Sequence, residues 1–271
     1  MLILAKHDAI NTRIKENYEN RAKAYLTRRT PVVLRLDGRA FHSFTRQLKK
    51  PYDEVFHRAM NDTLTYLCEN VQGCIFGYTQ SDELSLVLTD FANLNSDAWF
   101  DYSVQKMCSI SASMATLAFN KAFQKHSDEF INSVAALQDF DIEGTYITAL
   151  CKCTDRGAMF DARCFNIPED EICNYMIARQ QDATRNAVQM LGQTYFSHKQ
   201  LEGKNQSMVQ DMLWKEHNIN FNDMPVEFKR GVCCYRVADP SGHGSWYLDK
   251  LCPIFTQDRN YIERFISKSY N

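Results

Sequence analysis

Two acids in the chain are placed where they could do metal chemistry. Asp37 closes the apolar run Val32-Val33-Leu34-Arg35-Leu36 and is followed by Gly38, while Asp82 sits in the polar stretch Gln80-Ser81-Asp82-Glu83 between two strand-like runs. If the strands carrying them are neighbours in one sheet, both carboxylates emerge at the same edge. There they could share two divalent cations about 4 Å apart, the arrangement that activates an attacking hydroxyl and stabilises charge on a departing phosphate. Hard oxygen ligands favour magnesium, which also bridges nucleotide phosphates. Gly38, without a Cβ, lets backbone approach phosphate or metal closely. An isolated Asp-Gly is more commonly a turn, so the surrounding elements have to decide. Glu83 is left out of the expected metal shell, because strand alternation turns it away from Asp82.

The elements expected around these acids are helices with a modest antiparallel sheet. Residues 9 to 27 read as a polar amphipathic helix ended by Thr30-Pro31. Pro31 to Asp37 suits a buried strand. Asp53 can cap a helix reaching Val71, with Phe56, Met60, Leu64, Leu67 and Val71 on one face. Cys74 to Thr79 and Leu84 to Leu88 form a β-hairpin. Ser96 and Asp97 can start a long helix reaching Lys125, since the run has neither glycine nor proline. Met159 to Phe165 is a further strand, and Pro168 opens a helix to Leu191. Gly231 to Val237 and Gly244 to Leu251 flank the turn-rich Asp239-Pro240-Ser241-Gly242 as a second hairpin.

Composition narrows the classes. Hydrophobic residues make up 45% and charged residues 24%, a globular balance, and ten glycines with six prolines disfavour long linkers. A net charge of −2 argues against coating nucleic acid through a global positive field, so any RNA contact is local. Local cations are Arg21, Lys23, Arg28 and Arg29, then Lys49 and Lys50, then Lys229 and Arg230. The ten cysteines lack a Cys-x-x-Cys pair, and Cys151-Lys152-Cys153 has no partner at zinc spacing, so reduced thiols are expected. The apolar run at residues 1–5 is too short for a signal peptide and no stretch reaches eighteen apolar residues, which makes the cytoplasm the default location, away from any membrane.

The stretch Arg35-Leu36-Asp37-Gly38-Arg39-Ala40-Phe41-His42, then Lys50-Pro51-Tyr52-Asp53, then Gly77-Tyr78-Thr79-Gln80-Ser81-Asp82-Glu83-Leu84-Ser85, resembles the signature of the tRNA-histidine guanylyltransferases and their bacterial and archaeal relatives. Phe160-Asp161-Ala162-Arg163, Arg179-Gln180-Gln181-Asp182 and Asn218-Ile219-Asn220-Phe221-Asn222 leading to Lys229-Arg230-Gly231 continue it in family order. The resemblance implies an α+β fold with a polymerase palm-like antiparallel sheet, packed helices and a mixed helical and hairpin C-terminal part. It divides the chain into an N-terminal helix (1–30), a catalytic palm (31–192) and a C-terminal part packed on it (193–271).

By the same resemblance the chain adds nucleotides to the 5′ end of RNA, in the 3′-to-5′ direction. Asp37, Asp82 and the Gly38 carbonyl would hold two magnesium ions, and Gly38, Arg39, Ala40, Phe41 and His42 would form a loop over the nucleotide, ATP or GTP. Lys50, Ser81 and Lys106 match positions near phosphate, and His42 and Asp53 positions near the base. Arg28, Arg29, Arg185, Asn186, Lys204, Lys229 and Arg230 are the candidate contacts to tRNA, and a homotetramer is the implied assembly. Eukaryotic members carry His-Ile-Asn-Asn where this chain has Thr184-Arg185-Asn186-Ala187, so templated repair of tRNA 5′ ends is favoured over untemplated guanylate addition to tRNA-histidine. A nucleotide cyclase, which uses a similar pair of acids, and a catalytically silent RNA-binding module are the readings from other classes.

Overall fold

In the computed structural model the apolar run is strand β1 (Val32–Gly38), and Val32, Val33 and Leu34 have no exposed surface. A strand buried on both faces has no polar alternation to show, which explains the continuous apolar sequence. Polar residues enter only at Arg35 and Asp37, two apart and therefore on one face. The structure describes residues 9–137, 140–237 and 244–266. The N-terminal apolar run and the turn Asp239-Pro240-Ser241-Gly242 lie outside them.

β1 lies inside a six-stranded sheet in which every pairing is antiparallel. The strands are β2 (Cys74–Gln80), β3 (Glu83–Leu88), β4 (Phe160–Asn166), β5 (Val232–Val237) and β6 (Ser245–Asp249), in the order β4-β1-β3-β2-β5-β6. The hairpin expected from the sequence forms with a tighter connection, because Gln80 pairs with Glu83 and only Ser81 and Asp82 turn. The C-terminal hairpin finds its place here too. β5 pairs with β2, Cys234 opposite Gly77, so the palm sheet is completed by residues beyond 192 and the expected division at 192/193 is not a break in the sheet.

Helices cover both faces. Against one face, Leu34, Leu36, Leu84 and Leu86 pack on α3 (Glu54–Asn70), through Met60, Leu64 and Leu67, and on α4 (Val104–Leu137), through Phe119 and Phe123. Against the other, Phe76, Tyr78 and Val87 pack on Ile172, Cys173 and Met176 of α6 (Glu169–Tyr195) and on Tyr261 and Ile262 of α10 (Asn260–Ile266). The far half of α6 makes its own small core with α8 (Gln206–His217) and α9 (Val226–Arg230), through Leu191, Leu213 and Phe228. Among the described residues no helix is long and apolar enough to cross a membrane.

Several boundaries differ from the sequence reading. The first helical segment, α1 (9–22), loosens through a π turn and a 3-10 turn and ends well before Thr30-Pro31, because the chain at 24–26 is recruited to pair with 102–104. That same pairing delays α4, which starts at Val104 rather than Ser96, after Phe100, Asp101 and Tyr102 in left-handed backbone. α4 also runs past Lys125, where Gln124 with Asp128 and Lys125 with Glu129 support further turns at i,i+4. The following helix α5 (Phe140–Arg156) went unassigned in the sequence, although Tyr146, Leu150 and Cys153 enter the core at helical spacing.

Close packing between sheet and α3 gives a direct test. A Cβ on Gly77 would sit 2.4 Å from the Cys68 sulfur and 2.9 Å from Leu64, whereas one on Gly144 of α5 meets nothing within 4 Å. Gly77→Ala is expected to cost about 1–3 kcal/mol of stability through overpacking, and Gly144→Ala to gain about 0.5–1 kcal/mol from helix propensity. Chemical denaturation of both variants measures this, and equal effects would contradict the packing described.

Candidate active site

Antiparallel register brings the two aspartates together. Asp37 stands directly opposite Glu83 on β3 and Asp161 on β4. One residue further on, the Gly38 N–H donates to the Asp82 carbonyl oxygen at 3.0 Å, which ties the end of β1 to the hairpin turn. Ser81, at φ 54°, supplies the left-handed residue that this two-residue turn needs. Asp37 and Asp82 consequently line one cavity of about 220 Å³, closed on its far side by Arg179, Asp182 and Asn186 of α6.

Glu83 lines this cavity as well, which corrects the expectation that it points away. Asp82 belongs to the turn and not to the strand, so the alternation rule does not relate the two side chains. Arg35 donates to the Glu83 carboxylate, and the Arg179 Nη1 reaches both of its oxygens at 3.3 and 3.4 Å. These two guanidinium groups are thus engaged by Glu83, with Asp182 also 3.8 Å from Arg179, and among the described residues neither Asp37 nor Asp82 has an ion-pair partner. Burial pushes the Asp82 carboxyl up to about 6, against the pull of its own backbone N–H, and the charge of Asp37 adds to the upward push. A half-buried carboxylate beside a like charge and without a cation is a donor set suited to a hard divalent ion. Asp37 and Asp82 are the carboxylates of this cavity that would hold such an ion, while Gly38 is not among its lining residues.

A second cavity of about 510 Å³ shares Ser81, Asp82 and Asn186 with the first and opens past His42, Arg46 and Lys50. Its floor is the short helix α2 (Phe41–Phe44), entered through Ala40 at φ 57°. The Ser43 and Phe44 N–H groups both donate to the Ala40 carbonyl, at 3.0 and 3.2 Å, which closes this turn beside the cavity. Gly38 has a steric reason for being glycine beyond the close approach inferred from sequence. The Phe41 ring lies against its Cα, and a Cβ there would be 2.3 Å from a ring carbon. The ring is itself fixed by Phe44, Phe56, Phe119 and Phe160 at centroid distances of 5.1–5.9 Å. Loss of hydration lowers the Lys50 ammonium, with Asp53 pulling the other way.

Sequence reasoning missed part of this wall. Gln189 and Gln193 of α6 and Arg46 line the larger cavity. Asp182, Asn186, Gln189 and Gln193 recur at three-to-four spacing, a polar stripe on a helix whose other faces are packed, and that periodicity was available to be read.

Other expected site residues are elsewhere. Asp53 is 7% exposed, and its carboxylate accepts from Phe56 N–H as the α3 cap, from Lys49 N–H and from the Tyr146 hydroxyl. It positions the Lys49 to Phe56 segment and lines neither cavity. Lys106 is exposed near the start of α4, its ammonium 5.8 Å from the Phe100 ring centroid. The site end of the sheet meets α4 at Thr116 and Asn120, close to three turns further along, so Lys106 is not brought to the aspartates. Arg39 is exposed with its N–H bonded to the Met159 carbonyl. Arg28 is engaged by Asp90 and Asp101 at 2.7 and 2.8 Å and Arg29 donates its N–H to Asp90, so this pair braces the opposite end of the sheet. Lys49 pairs with Glu143. Lys204 is exposed between α7 (His198–Leu201) and α8, and Arg185 pairs with Asp182 at 2.6 Å.

An antiparallel sheet flanked by helices, with two aspartates converging at its edge beside an open cavity, is the layout of a palm-like nucleotidyltransferase. The profile of the tRNAHis guanylyltransferase (Thg1) family matches residues 12–168. The chain is 27% identical over 218 residues to the probable tRNA(His) guanylyltransferase of Dictyostelium discoideum, covering 76% of this chain and 75% of that protein. It also superimposes on bacterial tRNA(His) guanylyltransferase-like protein in complex with ATP, with 37% identity, a TM-score of 0.78 and coverage of 95% of this chain and 99% of the other. A GTP complex of such a bacterial protein gives 33% identity, a TM-score of 0.76 and coverage of 96% and 99%. The chain belongs to the tRNAHis guanylyltransferase family and is a nucleotidyltransferase.

The upward shift of Asp82 has a stability consequence with a definite sign. Because its folded pKa lies above the unfolded value of 3.8, the ionised carboxylate destabilises the metal-free fold fully above pH 6 and not below pH 4. Asp82→Asn should therefore raise the Tm by several degrees at pH 8, on the order of 2 kcal/mol, and leave it unchanged at pH 4. Calorimetry in chelator checks this, and a Tm difference independent of pH would contradict it.

Proposed function

We propose that this nucleotidyltransferase adds nucleotides to the 5′ end of tRNA in the 3′-to-5′ direction, with templated repair of shortened 5′ ends as its use. The observation that carries the reading is the convergence of Asp37 and Asp82 on one cavity that continues into a second, nucleotide-sized one. The bacterial relatives solved with ATP and GTP support nucleoside triphosphates as substrates. A 5′-monophosphate is first activated by a nucleoside triphosphate with release of pyrophosphate. The 3′ hydroxyl of the incoming nucleotide then attacks the activated phosphate, giving up its proton and expelling the activating nucleoside monophosphate. Two magnesium ions held by Asp37, Asp82 and the Gly38 carbonyl would lower the pKa of that hydroxyl and shield the leaving group.

The chain's own residues supply position and charge. The left-handed turn at Ala40 and the Phe41 anchor hold the Gly38–His42 loop against one side of the nucleotide. Lys50 offers an ammonium to its phosphates and Ser81 a hydroxyl donor, both on the cavity wall next to Asp82. The Arg35–Glu83–Arg179 cluster, with Asp182 against Arg179, fixes the frame on which Asp37 rests.

Templated addition is favoured by what replaces the eukaryotic motif. Ala187 is fully buried in the small core and the Thr184 hydroxyl donates to the Lys229 carbonyl at 2.9 Å, so neither position offers a side chain dedicated to reading one tRNA. The same reading includes a homotetrameric assembly.

Purified protein, magnesium, nucleoside triphosphates and a tRNA lacking its first residue provide the test. Wild type should extend the RNA, preferring guanylate opposite cytosine over adenine at the discriminator, and chelation should abolish extension. Asp37→Asn should lose about a thousandfold or more in rate, the scale of a lost group that stabilises transition-state charge. Undiminished extension by Asp37→Asn overturns the metal site, and equal addition opposite both discriminators overturns templating.

A further inference from the structure

On α6, Arg179, Asp182, Ala183 and Asn186 face the aspartate cavity, while Gln181, Thr184 and Arg185 line a different one of about 500 Å³. At 3.6 residues per turn these two sets fall on opposite sides of the same two helical turns. The second cavity is completed by Asn222, Lys229 and Arg230, and among the described residues its lining holds three cations and no carboxylate. That is a local excess of positive charge in a chain of net charge −2.

The cations are not neutralised from behind. Lys229 is 8% exposed and donates to the Asn222 backbone carbonyl, and among the described residues it has no ion pair. Burial and the neighbouring Arg230 lower its ammonium, while Asp223 pulls it back. Arg230 likewise has no ion pair among the described residues, although its carbonyl anchors the Tyr78 hydroxyl at 2.7 Å and so fixes its backbone to the sheet. Arg185 alone has a carboxylate, Asp182. Holding a buried ammonium without a countercharge is costly unless a ligand supplies one. Asn222 and Gln181 in the cavity lining carry amide groups, neutral donors of the kind that, with cations, recognise phosphate oxygens.

We propose that the Lys229–Arg230 cavity is a phosphate-binding subsite that seats a backbone phosphate of the RNA strand whose 5′ end is presented to Asp37 and Asp82. One helix diameter, about 10–12 Å, separates the two cavities, so a strand crossing α6 can occupy both. Identification of the strand rests on the function proposed above; the phosphate chemistry of the cavity does not. The same oxygens could arrive on the polyphosphate of a free nucleotide, and the experiment separates the two sources.

Binding of 5′-phosphorylated tRNA without divalent ions is measured against salt for wild type, Arg230→Gln and Gln181→Glu. Gln181 is exposed, so Gln181→Glu places a carboxylate at the cavity mouth without threatening the fold, whatever happens to the arginine variant. For an RNA phosphate, Arg230→Gln flattens the log K against log salt slope by about one unit, and Gln181→Glu weakens binding about tenfold or more. For a free polyphosphate, RNA slopes stay at wild type while both variants lose about tenfold or more in affinity for inorganic tripolyphosphate. Wild-type behaviour of both variants in both assays overturns the subsite. Nucleotide addition is not the readout, so a chain that shows the slope change yet extends no RNA refutes the proposed function alone, and one that extends RNA with unchanged binding in both assays refutes the subsite alone.

Discussion

Like charges held together at the end of a sheet repel, and the free-energy cost of that proximity organises this molecule. Asp37 is fixed by ladders on both sides, to β3 and to β4, and Asp82 by the turn whose carbonyl accepts from Gly38. Neither can retreat without breaking pairings in the centre of the sheet. Burial and the charge of Asp37 oppose ionisation of Asp82, and the nearby arginines pair with other acids, Arg35 with Glu83 and Arg179 with Glu83 and Asp182. The folded protein therefore holds two carboxylates close together without an ion-pair partner among the described residues, and the proposed metal site would draw on that cost.

The rest of the fold can be understood as what that arrangement requires. A strand apolar on both faces needs layers above and below, which α3 with α4 and α6 with α10 provide. The aromatic cluster around Phe41 stops the loop after Asp37 from relaxing into the space that Gly38 leaves open. α6 serves both sides of the site, since one of its faces closes the aspartate cavity while another lines a basic one.

Much of this was legible in the chain. Strand β1, the first hairpin and α3 with its Asp53 cap followed from periodicity and capping, because in these segments local preference and burial agree. The fate of Asp53 shows the limit: spacing revealed a cap, resemblance suggested a base contact, and the three hydrogen bonds to its carboxylate leave it structural. Resemblance alone puts Lys106 near phosphate, and Arg28 is read from a cluster of cations. Neither source says which end of a sheet a residue reaches, and the fold sets Lys106 close to three turns from the site end and Arg28 at the opposite end. The partner of the C-terminal hairpin was invisible, since the Cys234 to Gly77 pairing joins segments more than 150 residues apart and no local pattern encodes it.

Crystals grown with manganese and a nucleoside triphosphate test the central claim most directly, through anomalous scattering from the ions themselves. Two peaks about 4 Å apart, bridged by Asp37 and Asp82 and bordering the triphosphate, are the expected result. A triphosphate seated in the cavity with no ion between those carboxylates, or with its ions held by other residues, would contradict the account.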